Sequence, residues 1–112
     1  MNQPFQIAPG PIYQKEVPVR DEAYKRFIRM LPCVVCLKRW GVETAHTGAH
    51  SRDSKASDLR CIPLCQKHHR KSDDSYHKLG RVKFEARHKL DIDALVLMFN
   101  SFYQTKMKKA AA

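Results

Sequence analysis

Residues 61–77 read CIPLCQKHHRKSDDSYH, a short segment that combines cysteines, histidines and aspartates. Within it, Cys65 and His68 are separated by two residues, and Cys33 and Cys36 have the same spacing upstream. Two pairs with this spacing are typical of a tetrahedral zinc site built from three cysteines and one histidine. The sequence therefore predicts that these four residues bind a structural zinc ion, which would stabilise the fold of a short chain.

Cys61 is the competing fourth ligand, but the sequence assigns it to the core. On an extended strand, Cys61 would lie ~13 Å from Cys65 at about 3.3 Å per residue. Two thiolates on one zinc ion lie within ~4.6 Å of each other, given Zn–S bonds of about 2.3 Å. The alternative is that the four cysteines are buried or reactive thiols without a metal, and the second matched pair disfavours that interpretation.

The length and charge of the chain limit the classes of function. The 112 residues are enough for one small domain and too few for two independent cores of ordinary size. The formal net charge of +10 favours a polyanionic partner, with nucleic acid ahead of an anionic membrane surface. No run approaches the roughly 18 apolar residues of a membrane span, and the first residues lack the features of a signal peptide. We therefore expect a cytoplasmic protein with reduced cysteines.

The hydrophobic pattern predicts an α+β domain over residues 21–105, between an extended proline-rich arm (1–20) and a frayed basic tail (106–112). Asp21 is the predicted cap of a first amphipathic helix that ends before Pro32. The predicted elements that follow are a strand at VETAH, a polar loop over 47–57, a strand at LRCIPL, helical character from about residue 66, a break at SDDS, a helix over 80–88 and an apolar helix from 92 to about 105.

A second centre is predicted around His69. If His68 faces the zinc, His69 points elsewhere, because neighbouring residues on a helix differ in direction by about 100°. Asp73 would lie on the same face of a continuing helix, so that His69 and Asp73 could share a divalent cation. His77 would join them only if SDDS bends the chain back.

His46 is the upstream candidate for a reactive side chain, because it ends a strand and precedes a polar loop. Glu43 leaves the other face of that strand, yet its longer side chain could still reach a nearby ion. A carboxylate beside an imidazole favours Mg²⁺ or Mn²⁺ over a second zinc.

This order of a Cys-x-x-Cys turn, a strand ending in histidine, a loop, a strand and a second knuckle followed by histidine resembles the HNH endonucleases, whose fold is the ββα-metal motif. The resemblance covers roughly residues 31–80. The stretch ETAHTGAHSRDSKASDLRCIPLCQKHH is most similar to small zinc-ribbon HNH nucleases of phages and prophages, some of which nick one strand. It implies a metal-dependent DNA endonuclease in which His46 is the general base and His69 binds the catalytic Mg²⁺ or Mn²⁺.

Two positions depart from the pattern of that family. Asp58 is the nearest candidate for the family's middle asparagine. Ala45 stands where many members place a second metal ligand, so that this ligand must come from Glu43, Asp73 or His50. We expect Asp73, because related sequences often carry a histidine four residues beyond the last motif histidine.

The implied mechanism uses neutral His46 to take a proton from the water that attacks a phosphodiester, while the cation stabilises the developing charge. Basic residues around both centres are predicted to contact phosphates, which position DNA without reading its sequence. These residues are Lys38, Arg39, Arg52, Lys55, Arg60, Arg70 and Lys71. Trp40 could stack on a base, but packing over the zinc knuckle is the preferred interpretation.

Two other classes of function fit the same residues. The first is a zinc-ribbon module that binds DNA without cutting it and assists phage recombination or packaging. The second is a zinc-stabilised protein-interaction adaptor, which accounts for the cysteines but leaves the net charge and His46 unexplained. A domain with one active site can nick DNA as a monomer, whereas a double-strand cut would need a dimer, so we expect a monomer or a weak homodimer.

Overall fold

The computed structural model describes residues 19–48 and 56–111, which form an α+β arrangement of one two-stranded sheet and four α-helices. The elements are α1 (Glu22–Arg29), β1 (Val42–His46), β2 (Cys61–Cys65), α2 (Tyr76–Leu79), α3 (Arg81–His88) and α4 (Ile92–Ala111). A 3₁₀ turn (Asp58–Arg60) precedes β2, and a π-helical turn (Lys67–Lys71) follows it.

Helix α1 begins where the sequence predicts. The Asp21 side chain accepts a hydrogen bond from the backbone N–H of Tyr24, which satisfies one of the free donors at the start of a helix. Tyr24 and Ile28 lie on one face and are fully buried. The helix therefore packs its apolar stripe against the sheet, and the chain leaves it at Met30, ahead of Pro32.

Strands β1 and β2 pair in antiparallel register, with Val42 opposite Cys65 and His46 opposite Cys61. All five residues of β2 are buried, so elements cover both of its faces. Directly opposed residues share a face and successive residues alternate. His46 and Cys61 therefore leave one face of the sheet, while Glu43 and its partner Leu64 leave the other.

The chain after β2 departs from a continuous helix. The π-helical turn ends at Lys71, and Ser72 has an extended backbone. The predicted break at SDDS is confirmed, since Ser75 caps α2 by accepting from the N–H of Lys78. Two short helical segments thus stand where the ββα motif implies one helix.

Helix α4 closes the core with Ile92, Val96 and Phe99, as the apolar stripe predicts. Phe102, which belongs to the same predicted stripe, is 54% exposed. The helix continues to Ala111, so the segment predicted as a frayed tail is helical up to that residue. Within the described ranges, no helix is both long enough and apolar enough to cross a membrane.

Candidate metal centre and histidine–carboxylate pairs

The four predicted zinc ligands come together from three parts of the chain. Cys33 and Cys36 lie in the turn after α1, Cys65 ends β2, and His68 lies in the π-helical turn. Their ligand atoms all lie within 4.8 Å of one another. These residues form a cluster that could hold a metal ion, in agreement with the spacing in the sequence.

The distances within the cluster fit a tetrahedral ion. Cys36 Sγ lies 3.8 Å from Cys65 Sγ, and His68 Nδ1 lies 3.3 Å from Cys65 Sγ and 3.9 Å from Cys33 Sγ. A tetrahedral zinc ion with Zn–S bonds of about 2.3 Å holds its sulfurs about 3.8 Å apart. The donor set of three thiols and one imidazole is the set that zinc prefers, so the cluster is compatible with zinc.

The burial of Cys33 and His68 affects their pKa values and favours a bound cation. It raises the pKa of the Cys33 thiol, because an isolated thiolate is poorly solvated there. Burial also lowers the pKa of His68, which keeps the imidazole neutral and able to act as a ligand. A bound metal ion would offset the cost of the buried thiolates and favour this ligating state.

Cys61 lies in the hydrophobic core, as predicted, and not in the four-residue cluster. Burial raises the pKa of its thiol to about 12, so the thiol is neutral at physiological pH. Its sulfur does lie within 4.8 Å of ligand atoms of His46 and Asp58, and these three residues form another group that could hold a metal ion.

His46 is paired with Asp58 at the end of β1. The ring Nε2 lies 2.8 Å from Asp58 Oδ1, and the other carboxylate oxygen accepts a hydrogen bond of 2.7 Å from the backbone N–H of Asp21. Burial acts to raise the pKa of Asp58, but the hydrogen bonds from His46 and Asp21 outweigh it and hold the pKa below its ordinary value. Asp58 is therefore an ionised acceptor in a fixed position.

This contact selects one tautomer of His46. An ionised carboxylate only accepts hydrogen bonds, so Nε2 carries the proton and Nδ1 carries the lone pair. A carboxylate that accepts from one ring nitrogen fixes the orientation of the ring and the direction in which the other nitrogen points. The pair thus has the arrangement of an oriented base, and Asp58 acts on the His46 ring itself.

His69 is paired with a carboxylate on the other face of the sheet. Its Nδ1 donates to Glu43 Oε1 at 2.7 Å, and Arg70 donates to both oxygens of the same carboxylate at 3.1 and 3.0 Å. The hydrogen bond from Arg70, together with that from His69, lowers the pKa of Glu43 to about 2 against the effect of burial. Because Nδ1 of His69 carries the proton that it donates to Glu43, Nε2 carries a lone pair that can bind a metal ion.

The side chain beside His69 is that of His77, on α2, and not that of Asp73. The prediction that Asp73 shares a helical face with His69 is wrong, because the helical turn ends at Lys71, and the fully exposed Asp73 side chain lies 3.9 Å from Lys78. The SDDS segment instead bends the chain back. The rings of His69 and His77 meet edge to face with centroids 4.6 Å apart. His77 is an exposed residue, but partial desolvation of its ring and the neighbouring His69 lower its pKa, which favours the neutral imidazole.

Comparison with known proteins identifies a family for the chain. A family model described as DUF968, a protein of unknown function, matches residues 12–105. The chain belongs to the DUF968 family. No curated protein matches this DUF968 chain, and no solved structure matches it.

The basic residues of the DUF968 chain differ in what they contact. Arg60 contacts Asp93 at 2.6 Å and Arg70 is engaged with Glu43, so both have carboxylate partners within the fold. Arg39 and Lys71 are exposed, and Lys38 lies beside Trp40. Three other predicted site residues, His50, Arg52 and Lys55, lie outside the described residues.

Asn100 and Thr47 hold the end of the loop before β2, and neither was predicted to have a functional role. Asn100 on α4 donates to the Leu59 carbonyl at 3.0 Å and to the Tyr24 hydroxyl at 2.7 Å. The Thr47 hydroxyl donates to the Arg60 carbonyl at 2.6 Å. These contacts fix the 3₁₀ turn that carries Asp58, and no local sequence signal indicates them, because each joins distant parts of the chain.

The low pKa of Glu43 in this DUF968 protein leads to a prediction on stability. We expect Glu43→Gln to lower the free energy of unfolding above pH 5, because it removes the charged partner of Arg70 and His69. The loss should be only about 1 kcal/mol, because solvent screens the partly exposed pair with Arg70. The ordinary pKa is 4.5 and the folded value is about 2, so the stabilisation is complete above 4.5 and is lost as the pH falls toward 2. Urea denaturation at several pH values should show the two proteins converging in acid.

Glu22→Gln is the matched control, because Glu22 forms an ion pair with Lys25 in which its own side chain is largely exposed. Its substitution should leave the free energy of unfolding almost unchanged at every pH, because solvent screens this pair. A constant difference between wild type and Glu43→Gln down to pH 2 would contradict the assignment of Glu43 as an ionised partner.

Proposed function

We propose that this protein is a metal-dependent endonuclease that hydrolyses phosphodiester bonds in DNA and nicks one strand. The observation that carries the proposal is the contact of 2.8 Å between His46 Nε2 and Asp58 Oδ1 at the end of β1. It provides an oriented imidazole at the position that the HNH resemblance assigns to the general base. In this proposal, the cluster of Cys33, Cys36, Cys65 and His68 holds a structural zinc ion.

His46 acts as the base through Nδ1. That nitrogen takes a proton from the attacking water as the water oxygen bonds to phosphorus, and the ring becomes an imidazolium. The bond between phosphorus and the leaving oxygen breaks, and the leaving oxygen takes up a proton. Asp58 stabilises this positive charge through Nε2 and keeps the ring from turning. The His46 side chain is 19% exposed, so water can reach the ring from one side.

His69 and His77 hold the catalytic cation in this proposal, with Glu43 orienting His69. When bound, a divalent cation stabilises the negative charge that develops on the phosphate and on the leaving oxygen. Both oxygens of Glu43 are engaged with Arg70, so the donors that the described residues place beside His69 are imidazole nitrogens. Such a donor set favours a transition metal such as Mn²⁺ or Ni²⁺ over Mg²⁺.

The charge and the sheet topology fit a DNA substrate. A net charge of +10 attracts the phosphate backbone through counterion release. His46 and Glu43 leave opposite faces of β1, which is paired on one side only in the described part of the chain. In this proposal, the DNA strand lies along the unpaired edge of β1, between the two centres. One such site per chain favours nicking by a monomer.

The test is conversion of supercoiled plasmid to open circles by the zinc-loaded protein with Mg²⁺, Mn²⁺ or Ni²⁺. We expect metal-dependent nicking, with Mn²⁺ or Ni²⁺ more effective than Mg²⁺. Glu43→Gln should need about 10- to 100-fold more Mn²⁺ for half-maximal rate, because His69 loses the partner that orients it. Glu22→Gln should behave like the wild type.

Other products would change the proposal in defined ways. Linear plasmid as the first product would indicate paired cuts by a dimer. Retardation of DNA without cleavage under any of these metals would contradict the nuclease proposal and favour the DNA-binding module. If Glu43→Gln reaches half-maximal rate at the same Mn²⁺ concentration as the wild type, the role of Glu43 in orienting His69 is contradicted.

A further inference from the structure

Trp40 is exposed at the tip of the loop that follows the Cys-x-x-Cys turn. Its relative exposure is 71%, and that of Leu37 in the same loop is 69%. The prediction that Trp40 packs over the zinc knuckle is therefore wrong. The exposed indole leaves a large, flat apolar surface in contact with water.

The loop that carries Trp40 is held at both ends by backbone hydrogen bonds. The N–H of Cys33 donates to the Lys38 carbonyl at 2.9 Å, and the N–H of Leu37 donates to the Cys33 carbonyl at 2.8 Å. Beyond the tip, Gly41 has φ +67 and its carbonyl accepts from Gln66 at 3.2 Å. The indole is thus presented from an ordered support, which lowers the entropy cost of binding a ligand to it.

The surroundings of Trp40 are cationic. Lys38 Nζ lies 5.2 Å from the centroid of the indole ring, so it occupies one face of the ring. Arg39, between the two, is exposed. An apolar flat surface beside two cations fits a ligand that is itself flat and carries negative charge at its edges. A nucleobase flanked by backbone phosphates has this chemistry.

We propose that Trp40 is a stacking platform for an unpaired base of single-stranded DNA, with Lys38 and Arg39 contacting the phosphates on either side of that base. This inference rests on the nucleic-acid partner of the proposed function. An unpaired base is favoured because both faces of a base inside a duplex are already covered by its neighbours. Stacking tolerates any base, so Trp40 adds affinity without adding sequence preference.

The test uses the full zinc-loaded chain without a catalytic cation, so that no DNA is cut. Trp40 is the only tryptophan in the chain, and its fluorescence therefore reports on this site alone. Titration with oligothymidylate should quench that fluorescence. The anisotropy of a labelled oligothymidylate should show that Trp40→Ala weakens binding by about 5- to 100-fold, while Trp40→Phe restores most of the affinity.

Phe102→Ala is the matched control, because Phe102 is also an exposed aromatic residue but lies on α4. It should bind oligothymidylate like the wild type, and all variants should retain equal zinc content. Lys38→Ala should reduce the salt dependence of binding, whereas Trp40→Ala should leave it unchanged, since stacking releases no counterions.

Three outcomes would overturn the inference. The first is binding of oligothymidylate without a change in Trp40 fluorescence. The second is equal affinity of wild type and Trp40→Ala. The third is quenching by a blunt duplex but not by the single strand, which would indicate insertion into a groove. Failure of the wild type to bind any DNA by anisotropy is distinguishable from these, because it would also remove the partner of the proposed function.

Discussion

Replacement of Cys65 by serine is expected to abolish zinc binding and to unfold most of the domain. Cys65 Sγ lies 3.8 Å from Cys36 Sγ and 3.3 Å from His68 Nδ1, so its loss removes the ligand that joins the two halves of the cluster. Structural zinc contributes about 10–16 kcal/mol in zinc-finger peptides, which matches or exceeds the whole stability of a small domain at about 5–15 kcal/mol. Elemental analysis and thermal unfolding followed by circular dichroism measure both effects.

Cys61→Ser is the matched control for this experiment. Cys61 is as fully buried as Cys65, but it belongs to the core and not to the four-residue cluster. We expect this variant to retain one zinc ion per chain and a cooperative transition, with a loss of about 1–3 kcal/mol for burying a hydroxyl group. Equal loss of zinc in both variants, or wild-type protein purified without zinc, would contradict the structural zinc site.

His46→Ala is expected to reduce the rate of plasmid nicking by about 10²- to 10⁴-fold, the range for loss of a general base. DNA affinity at the same salt concentration should remain unchanged, because an uncharged imidazole contributes little to phosphate attraction. Nicking rates and gel retardation separate these two quantities. Wild-type activity in His46→Ala would show that another group activates the water.

Asp58→Asn tests whether the carboxylate selects the tautomer of His46. Asp58 accepts from His46 through one oxygen and from the Asp21 N–H through the other. An asparagine side chain has one oxygen and one NH₂ group. If the oxygen accepts from His46, the NH₂ group faces the Asp21 N–H, which is also a donor. If the oxygen instead accepts from the Asp21 N–H, the NH₂ group donates to Nε2 of His46. The second arrangement forces the proton onto Nδ1, which can then no longer accept one.

We therefore expect Asp58→Asn to reduce nicking by about 100-fold or more, as happens when the carboxylate beside a catalytic histidine becomes an amide. Asp73→Asn is the matched control, since Asp73 is fully exposed and does not contact His69 in the structure. It should keep wild-type activity and metal dependence. Loss of activity in Asp73→Asn would restore Asp73 as a metal ligand, and full activity in Asp58→Asn would limit Asp58 to holding the loop.

The cluster of Cys33, Cys36, Cys65 and His68 could be predicted from the sequence because its geometry is mostly local. Cys33 and Cys36 share one turn, and Cys65 and His68 share another, so each pair has its spacing built into a few backbone angles. The capping residues Asp21 and Ser75 were predictable for the same reason. The long-range contact in the cluster is the one between these two pairs. It can be suggested from the sequence because thiols and imidazoles in this combination are preferred ligands of zinc.

The partners of the second centre could not be predicted in this way. The choice between Asp73 and His77 beside His69 depends on where a helical turn ends, and the π-helical turn ends two residues before Asp73. Glu43 contacts His69 across 26 positions of sequence, which requires the register of β1 against β2. Alternation along β1 was correctly expected to separate Glu43 from His46.

By itself, the sequence determined the cluster of potential metal ligands, the first strand, the cap at Asp21 and the basic character of the protein, because these depend on spacing, composition and near neighbours. The second strand begins at Cys61, two residues later than predicted, because Leu59 and Arg60 belong to the 3₁₀ turn. Only the tertiary structure decided which carboxylate orients which histidine, and that Trp40 faces solvent. Hydrogen bonds of this kind join side chains that are distant in sequence, and they depend on strand register and on the direction in which a loop leaves the sheet. Those quantities are set when the whole core packs, so no short stretch of sequence contains them.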